Sequence, residues 1–222
     1  MNIKNIIIAI ITISTFLFSE SIQFAHAQPI TVNQGDYVKT RITPPKPNLL
    51  NLEDYHIHCT IGYVNVENRT ATYAGHCADG TVGSPVYNVH GQKIGNVSYT
   101  KYPTLGLLKY VNFLVPITTP VDYAIVKIDN NVKIGNNSYS GNNKTNYSSI
   151  KNGDTICSYG ATRNKETCGN IVYKSNIFKV IVTNENSNMN GDSGGPSWIP
   201  GKGFVGTLSS YFGKMFAFYV VS

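Results

Sequence analysis

The sequence predicts an all-β fold of two β-barrels or sandwiches. Three observations carry that expectation. From about Tyr55 onward, short apolar or alternating runs recur between Gly, Asn, Asp and Pro punctuation. Runs rich in β-branched and aromatic residues, bounded by turn formers, read as strands. Beyond the N-terminal apolar run no stretch shows a convincing helical period. Residues 129–154 then break the rhythm: Asn, Ser, Gly and Lys dominate them, which marks a surface linker between two β-rich halves.

Taken in order, residues 1–27 have the form of a secretory signal. Lys4 supplies a charged start, 6–18 is an almost unbroken apolar run, and Ala25-His26-Ala27 is a small-x-small cleavage site. The run falls short of the ~20 residues of a comfortable membrane span. Cleavage therefore gives a secreted protein with no stable membrane association; an uncleaved anchor is the competing reading. Residues 28–50 contain Pro29, Pro44, Pro45 and Pro47 without clear periodicity, and suggest an extended arm or short pro-segment. The strand candidates fall at 60–66, 70–74, 93–99 and 124–128, then at 171–173, 177–182, 204–208 and 216–221. They divide the chain into a first β-barrel over 51–130, a linker over 131–150 and a second β-barrel over 151–222.

Charge narrows the partners. The chain carries 18 Lys+Arg against 12 Asp+Glu, a formal net charge of +6. These charges are scattered, with no basic block and no interleaving of aromatic and basic residues, so no nucleic-acid partner is expected. A solvated surface with weak attraction to anionic surfaces remains. No cofactor motif is present.

The four cysteines are Cys59, Cys77, Cys157 and Cys168. An even count in an exported chain suggests two disulfides, with three pairings open in principle. Local pairing, Cys59 with Cys77 and Cys157 with Cys168, closes two short loops in opposite halves. Loops of ~15 residues contribute ~3 kcal/mol each in the chain-entropy model. A metal site is the alternative, because His56, His58, Cys59, His76 and Cys77 could converge. Oxidised thiols are the expectation, hence no metal.

The chemistry concentrates in three motifs. Asn190-Gly191-Asp192-Ser193-Gly194-Gly195-Pro196 puts a serine on a glycine-rich turn, where backbone N–H groups can approach a carbonyl closely. A serine hydroxyl needs a base to take its proton. His76, in Ala74-Gly75-His76-Cys77, can serve, and Asp122, in Asp122-Tyr123-Ala124, can orient it. The chain order His, Asp, Ser is that of the chymotrypsin arrangement.

With these motifs the chain from about Asp54 onward resembles the chymotrypsin-like serine endopeptidases, and most of all their compact bacterial, streptogrisin-like branch. Ala74-Gly75-His76-Cys77, Asp122-Tyr123-Ala124 and Gly191-Asp192-Ser193-Gly194-Gly195 carry the likeness, and Cys157-Ser158-Tyr159-Gly160 with Cys168-Gly169 looks like that branch's second disulfide loop. The resemblance implies two barrels with the active site at their junction. It also implies a catalytic triad of His76, Asp122 and Ser193, and an oxyanion hole from the Gly191 and Ser193 amides. Ser209 would lie beside the triad carboxylate, followed by a backbone edge for substrate, and the substrate would be protein or peptide, handled by a monomer. An Ile-Val-Gly-Gly start is missing, so no new amino terminus is available to pair with Asp192. The branch's arginine after the first cysteine of the second loop is Ser158 here, and Arg163 is the candidate substitute partner of Asp192.

An ungapped count back from Ser193 puts Ser187 at the floor of the specificity pocket. Trypsin-like relatives carry an aspartate there. Without that charge, and with Met189, Tyr211 and Phe212 nearby, the pocket should favour large apolar or aromatic side chains; Glu185 is the one nearby acid that could reverse this. The competing function is a non-catalytic, protease-like binding protein that uses the same cleft.

Overall fold

The computed structural model describes residues 29–42, 55–79, 81–102, 122–176, 179–184, 189–212 and 215–220. The expected signal, Glu185 and Ser187 lie outside the described residues. Among the described residues the regular elements are strands and two short 3-10 turns, with no α-helix.

Seven strands form the first sheet. They are β2 (Tyr37–Ile42), β3 (Tyr55–Thr60), β4 (Tyr63–Asn65), β5 (Thr70–Tyr73), β6 (Pro85–Asn88), β7 (Lys93–Lys101) and β8 (Tyr123–Ile128), in the order β3-β2-β6-β7-β8-β5-β4. Alternation sets the faces: Val38, Cys59, Ala71, Val86, Val97, Ala124 and Val126 are buried in one cluster with Ile61, Ile94 and Ile128. A single sheet can surround such a core only by curling. Register shifts at Val86/Tyr87 and Val97/Tyr99 supply bends of the kind that bulges produce.

The second sheet closes fully. Its strands are β10 (Thr155–Gly160), β11 (Lys165–Ser175), β12 (Val180–Thr183), β13 (Pro196–Ile199), β14 (Gly203–Phe212) and β15 (Met215–Val220), in the barrel order β10-β11-β12-β15-β14-β13. Closure removes the open edges that an isolated sheet would expose. Ile150, Ile156, Ile171, Ile181, Ile199, Val205 and Leu208 fill its interior.

Residues 29–42, read from composition as part of an arm, belong instead to the body of the protein. Strand β1 (Thr31–Val32) pairs in parallel with β9 (Lys133–Ile134), and β2 pairs with both β3 and β6. The prolines that suggested an arm lie outside this stretch, except Pro29 just before β1. The Asn/Ser-rich segment after β8 is likewise fixed. Gln34, 2% exposed, donates from Nε2 to Gly62 O and to Ser140 Oγ, while its Oε1 accepts the Tyr139 and Ser140 amides. Buried Asn137 exchanges two 2.9 Å hydrogen bonds with the Val64 backbone. Such polar side chains satisfy buried backbone groups where no strand partner exists.

Candidate active site

His76 lies on the 3-10 turn Gly75–Ala78, directly after β5. Strand and turn meet through Gly75. A Cβ there would sit 2.8 Å from Lys101 O and 3.0 Å from Asp122 Oδ1, so a side chain would push the turn off the carboxylate. Cys77 is bonded to Cys59 at the end of β3, which ties the turn to the sheet. This pairing and Cys157–Cys168 across the β10–β11 ladder are the two local disulfides expected from the sequence. A ring nitrogen of His76 lies within 4.8 Å of both sulfurs of the first bridge. Those sulfurs are bonded to each other, so they offer no thiolate to a metal. His56 and His58, the other members of the suspected cluster, project from β3 as exposed residues.

Asp122 immediately precedes β8 and is 5% exposed. Its Oδ1 accepts the His76 backbone N–H at 2.8 Å. Its Oδ2 is 2.8 Å from His76 Nδ1 and also accepts from Ser209 Oγ on β14. Burial alone would push this carboxyl up; the His76 charge, then the hydrogen bonds from the His76 ring, Ser209 and the His76 amide, outweigh it and hold the group below the usual carboxylate range. An ionised carboxylate only accepts. His76 Nδ1 is therefore the protonated nitrogen in a neutral ring, and Nε2 is left as the basic one. The carboxylate is enclosed while the imidazole, with 28% of its side chain exposed, reaches solvent.

Two groups around this pair were not singled out from sequence with equal clarity. Ser209 was marked by resemblance, and it lies on the second barrel, against a carboxylate of the first. Tyr102 was not marked at all. Its ring meets the His76 ring edge-on at 6.0 Å, and burial, followed by the charges of Asp122 and Asp79, pushes its hydroxyl up to about 12. It stays neutral across the physiological range. Only its position directly after β7, beside the turn of His76, gives it this contact, and no motif announces that.

The loop of Ser193 occupies the other side. Gly191 and Gly194 have φ of +99° and +88°, values that L side chains rarely adopt. A Cβ on Gly194 would also lie 2.5 Å from Thr60 O and 2.8 Å from Ala74 N, so glycine lets the second barrel's loop touch the first barrel's strands. Thr60 completes the join: its amide donates to Ser193 O at 2.8 Å, and its hydroxyl donates to Gly191 O at 2.8 Å. Cys77 Sγ lies 3.8 Å from the same Ser193 oxygen, which brings Ser193 beside the neighbour of His76. From Gly191 through Ile199, Ser193 alone is not buried. Neither the Gly191 nor the Ser193 amide donates to a backbone carbonyl among the described residues.

Asp192 is fully buried and organises the loop. Oδ1 accepts the Thr162 and Arg163 amides, each at 3.0 Å, and Oδ2 accepts the Met189 amide at 2.9 Å. Arg163 Nε lies 3.8 Å from Oδ2, and the arginine side chain is only 4% exposed. Its Nη2 donates to Ser158 Oγ at 2.7 Å and its Nε to Lys165 O at 3.0 Å. Arg163 thus joins Asp192 to the very serine that stands where an arginine was expected. Past Thr207, β14 is paired on its β15 side, while its pairing with β13 has ended. The proposed pocket floor, Ser187, and the side chains of Tyr211 and Phe212 lie outside what is described; Met189 is 53% exposed.

No family model and no curated protein matches the chain. Solved structures do. A glutamic acid specific serine protease that uses a histidine triad in substrate binding aligns at 16% identity and a TM-score of 0.53, covering 84% of this chain and 91% of that one. An alpha-lytic protease homolog, N4, aligns at 15% identity and 0.55, covering 86% and 93%. The serine protease of a human pathogenic astrovirus aligns at 10% identity and 0.53, covering 85% and 90%. This chain has the chymotrypsin-type double β-barrel fold of serine proteases.

Proposed function

We propose that the protein is a secreted, monomeric serine endopeptidase. Its signal spans 1–27, its first barrel begins with the strands at 31–42, and its second follows the segment at 131–150. The observation that carries the reading is the buried Asp122 carboxylate bound to His76 Nδ1 and Ser209 Oγ, together with the stretch 191–199, in which Ser193 alone is not buried. In this reading His76 Nε2 takes the Ser193 Oγ proton as Oγ attacks the scissile carbonyl. Asp122 holds the ring and stabilises the imidazolium. The Gly191 and Ser193 amides donate hydrogen bonds to the developing oxyanion. His76 then returns the proton to the leaving amine, and water, deprotonated by the same base, hydrolyses the acyl-enzyme.

The backbone of 209–212, free of β13, would pair with an extended substrate peptide. Ser187 at the pocket floor offers no charge, so the preference is for large apolar or aromatic residues before the scissile bond. Hydrolysis of protein by the parent, Ser193→Ala and His76→Ala tests the assignment. Either variant should lose nearly all turnover with its fold intact, because the residues act as a unit. A folded Ser193→Ala protein as active as the parent would refute it, and a parent without turnover would leave only a protease-like binder. Peptides differing only at the residue before the cleaved bond test the pocket: higher kcat/KM for Arg or Glu than for Phe or Leu would reject its assignment.

A further inference from the structure

Behind the loop of Ser193 stands a turn from the amino-terminal part of the chain, anchored by one buried amide side chain. Residues 33–36 connect β1 to β2. Asp36 Oδ2 accepts the Asn33 amide at 2.7 Å, which closes the turn. The Gly35 amide donates to Ile61 O at 2.8 Å, and the Ile61 amide donates to Asp36 O at 2.9 Å. The Gln34 amide donates to Asn136 O at 3.0 Å. The Gln34 side chain uses every donor and acceptor it has. It donates to Gly62 O at 2.8 Å and to Ser140 Oγ at 2.7 Å, and it accepts the Tyr139 and Ser140 amides at 3.0 Å each. A fully satisfied polar group at 2% exposure makes its surroundings rigid and unique, because each bond it loses leaves a buried partner unpaired.

The groups it holds touch the loop of Ser193 from both barrels. On the first barrel, Ile61 and Gly62 follow Thr60, whose amide and hydroxyl bind Ser193 O and Gly191 O. Gly62 packs on the loop itself: a Cβ there would lie 2.5 Å from Gly194 O. On the second barrel, Tyr159 of β10 stacks on Tyr139 at 4.1 Å. Both rings rest on Gly35, where a Cβ would lie 2.5 Å from the Tyr139 ring and 3.1 Å from the Tyr159 ring. Tyr159 O lies against Gly195, and Gly160 lies against the Asp192 carboxylate, each too closely to leave room for a Cβ. The turn therefore reaches Gly194 through one barrel, and Asp192 and Gly195 through the other.

We infer that Gln34 is a positioning residue for Ser193. Through the turn 33–36 it holds Gly62 and the Tyr139–Tyr159 pair against the loop. Residues 29–36, which composition suggested as an arm or pro-segment, are by this inference part of the site, and cleavage at their end disables it rather than releases it. The effect on turnover rests on the peptidase reading above; the effect on the loop does not.

Hydrogen–deuterium exchange on the full chain tests the inference. The Asp192, Gly194 and Gly195 amides donate to Met189 O, Leu208 O and Asp192 O, so their exchange reports opening of the loop. Gln34→Met keeps an unbranched side chain and removes all four bonds. It should speed exchange over 191–195 by about tenfold and leave 124–128, in β8, within about twofold. Ser140→Ala removes one of the four bonds and should raise exchange at the same place by less, which keeps the test open if Gln34→Met does not fold. Asn137→Ala breaks two bonds to the Val64 backbone, outside this chain of contacts, and should leave 191–195 unchanged. In peptide hydrolysis Gln34→Met should lower kcat by about tenfold with KM within about twofold. Exchange that rises equally everywhere, or as much in Asn137→Ala, would reduce Gln34 to general stability and overturn the inference, as would a raised KM at unchanged kcat. Faster exchange confined to 191–195, in a protein whose parent has no turnover, would uphold the inference and refute only the peptidase reading. Unchanged exchange with an active parent would do the reverse.

Discussion

At the scale of the residue, the site rests on one carboxylate. Asp122 is held ionised in a buried position by groups from both barrels, His76 from the first and Ser209 from the second. Asp122→Asn would keep the shape while favouring the wrong tautomer of His76, so kcat should fall by about 10⁴ in a peptide assay. The same carboxylate sets a pH dependence of folding. Its folded-state pKa lies below the unfolded one. Its contribution to stability is thus complete above the unfolded carboxylate range, near 4, and disappears as pH falls through the lower folded value. Urea unfolding at pH 7 and at pH 3 should show a smaller acid loss for Asp122→Asn than for the parent. Activity has a separate dependence. It should rise with pH as the histidine base loses its proton. A flat kcat/KM profile between pH 5 and 8 would remove the histidine base from the mechanism. The contact between Asp122 and His76 was legible from the residue types and their order in the sequence. Tyr102 was not, because a lone tyrosine at a strand end carries no signal until the strand's neighbour is known.

At the scale of the element, two short segments carry His76 and Ser193, and each is tied to neighbouring elements. The turn of His76 is held by Cys59–Cys77, whereas the loop of Ser193 is held by Asp192 and by Thr60. Replacing both Cys59 and Cys77 by alanine should cost about 2–5 kcal/mol in stability and lower kcat as well. The equivalent change at Cys157 and Cys168 should lower stability with a smaller effect on kcat, since that bridge spans β10 and β11 away from the histidine turn. Arg163→Met should damage both properties. It leaves the buried Asp192 carboxylate without its cation, a loss of about 3–5 kcal/mol where such pairs are broken. Guanidinium unfolding and peptide hydrolysis separate these outcomes. Arg163 was legible because the expected arginine was replaced by Ser158 and a basic residue stood nearby. The strand pairing of 29–42 was not. Its run is short, its proline neighbours point toward extended chain, and the partners that bury Val32, Gln34 and Val38 lie far along the sequence.

At the scale of the whole molecule, the two barrels meet through polar contacts concentrated around the loop of Ser193. Thr60 binds Ser193 and Gly191, the Ala161 amide donates to the Thr60 hydroxyl, and Ser209 crosses to Asp122. The all-β class was visible in the recurrence of short alternating runs. The junction was visible only as an inference from residue order, since hydrogen bonds between residues 131 positions apart, such as Thr60 to Gly191, leave no local pattern. The segment after β8 looked like a loose linker because Asn and Ser usually face solvent. Here Asn137 and Ser140 face inward and replace missing strand partners. All of this architecture matters for function only if Ser193 is a nucleophile. Incubation of the folded protein with a fluorophosphonate, followed by intact mass and peptide mapping, tests that directly. One adduct per chain, located on Ser193 and absent from Ser193→Ala and His76→Ala, is the predicted result. A folded parent protein that remains unlabelled, or one labelled equally well when Ser193 is alanine, would contradict it.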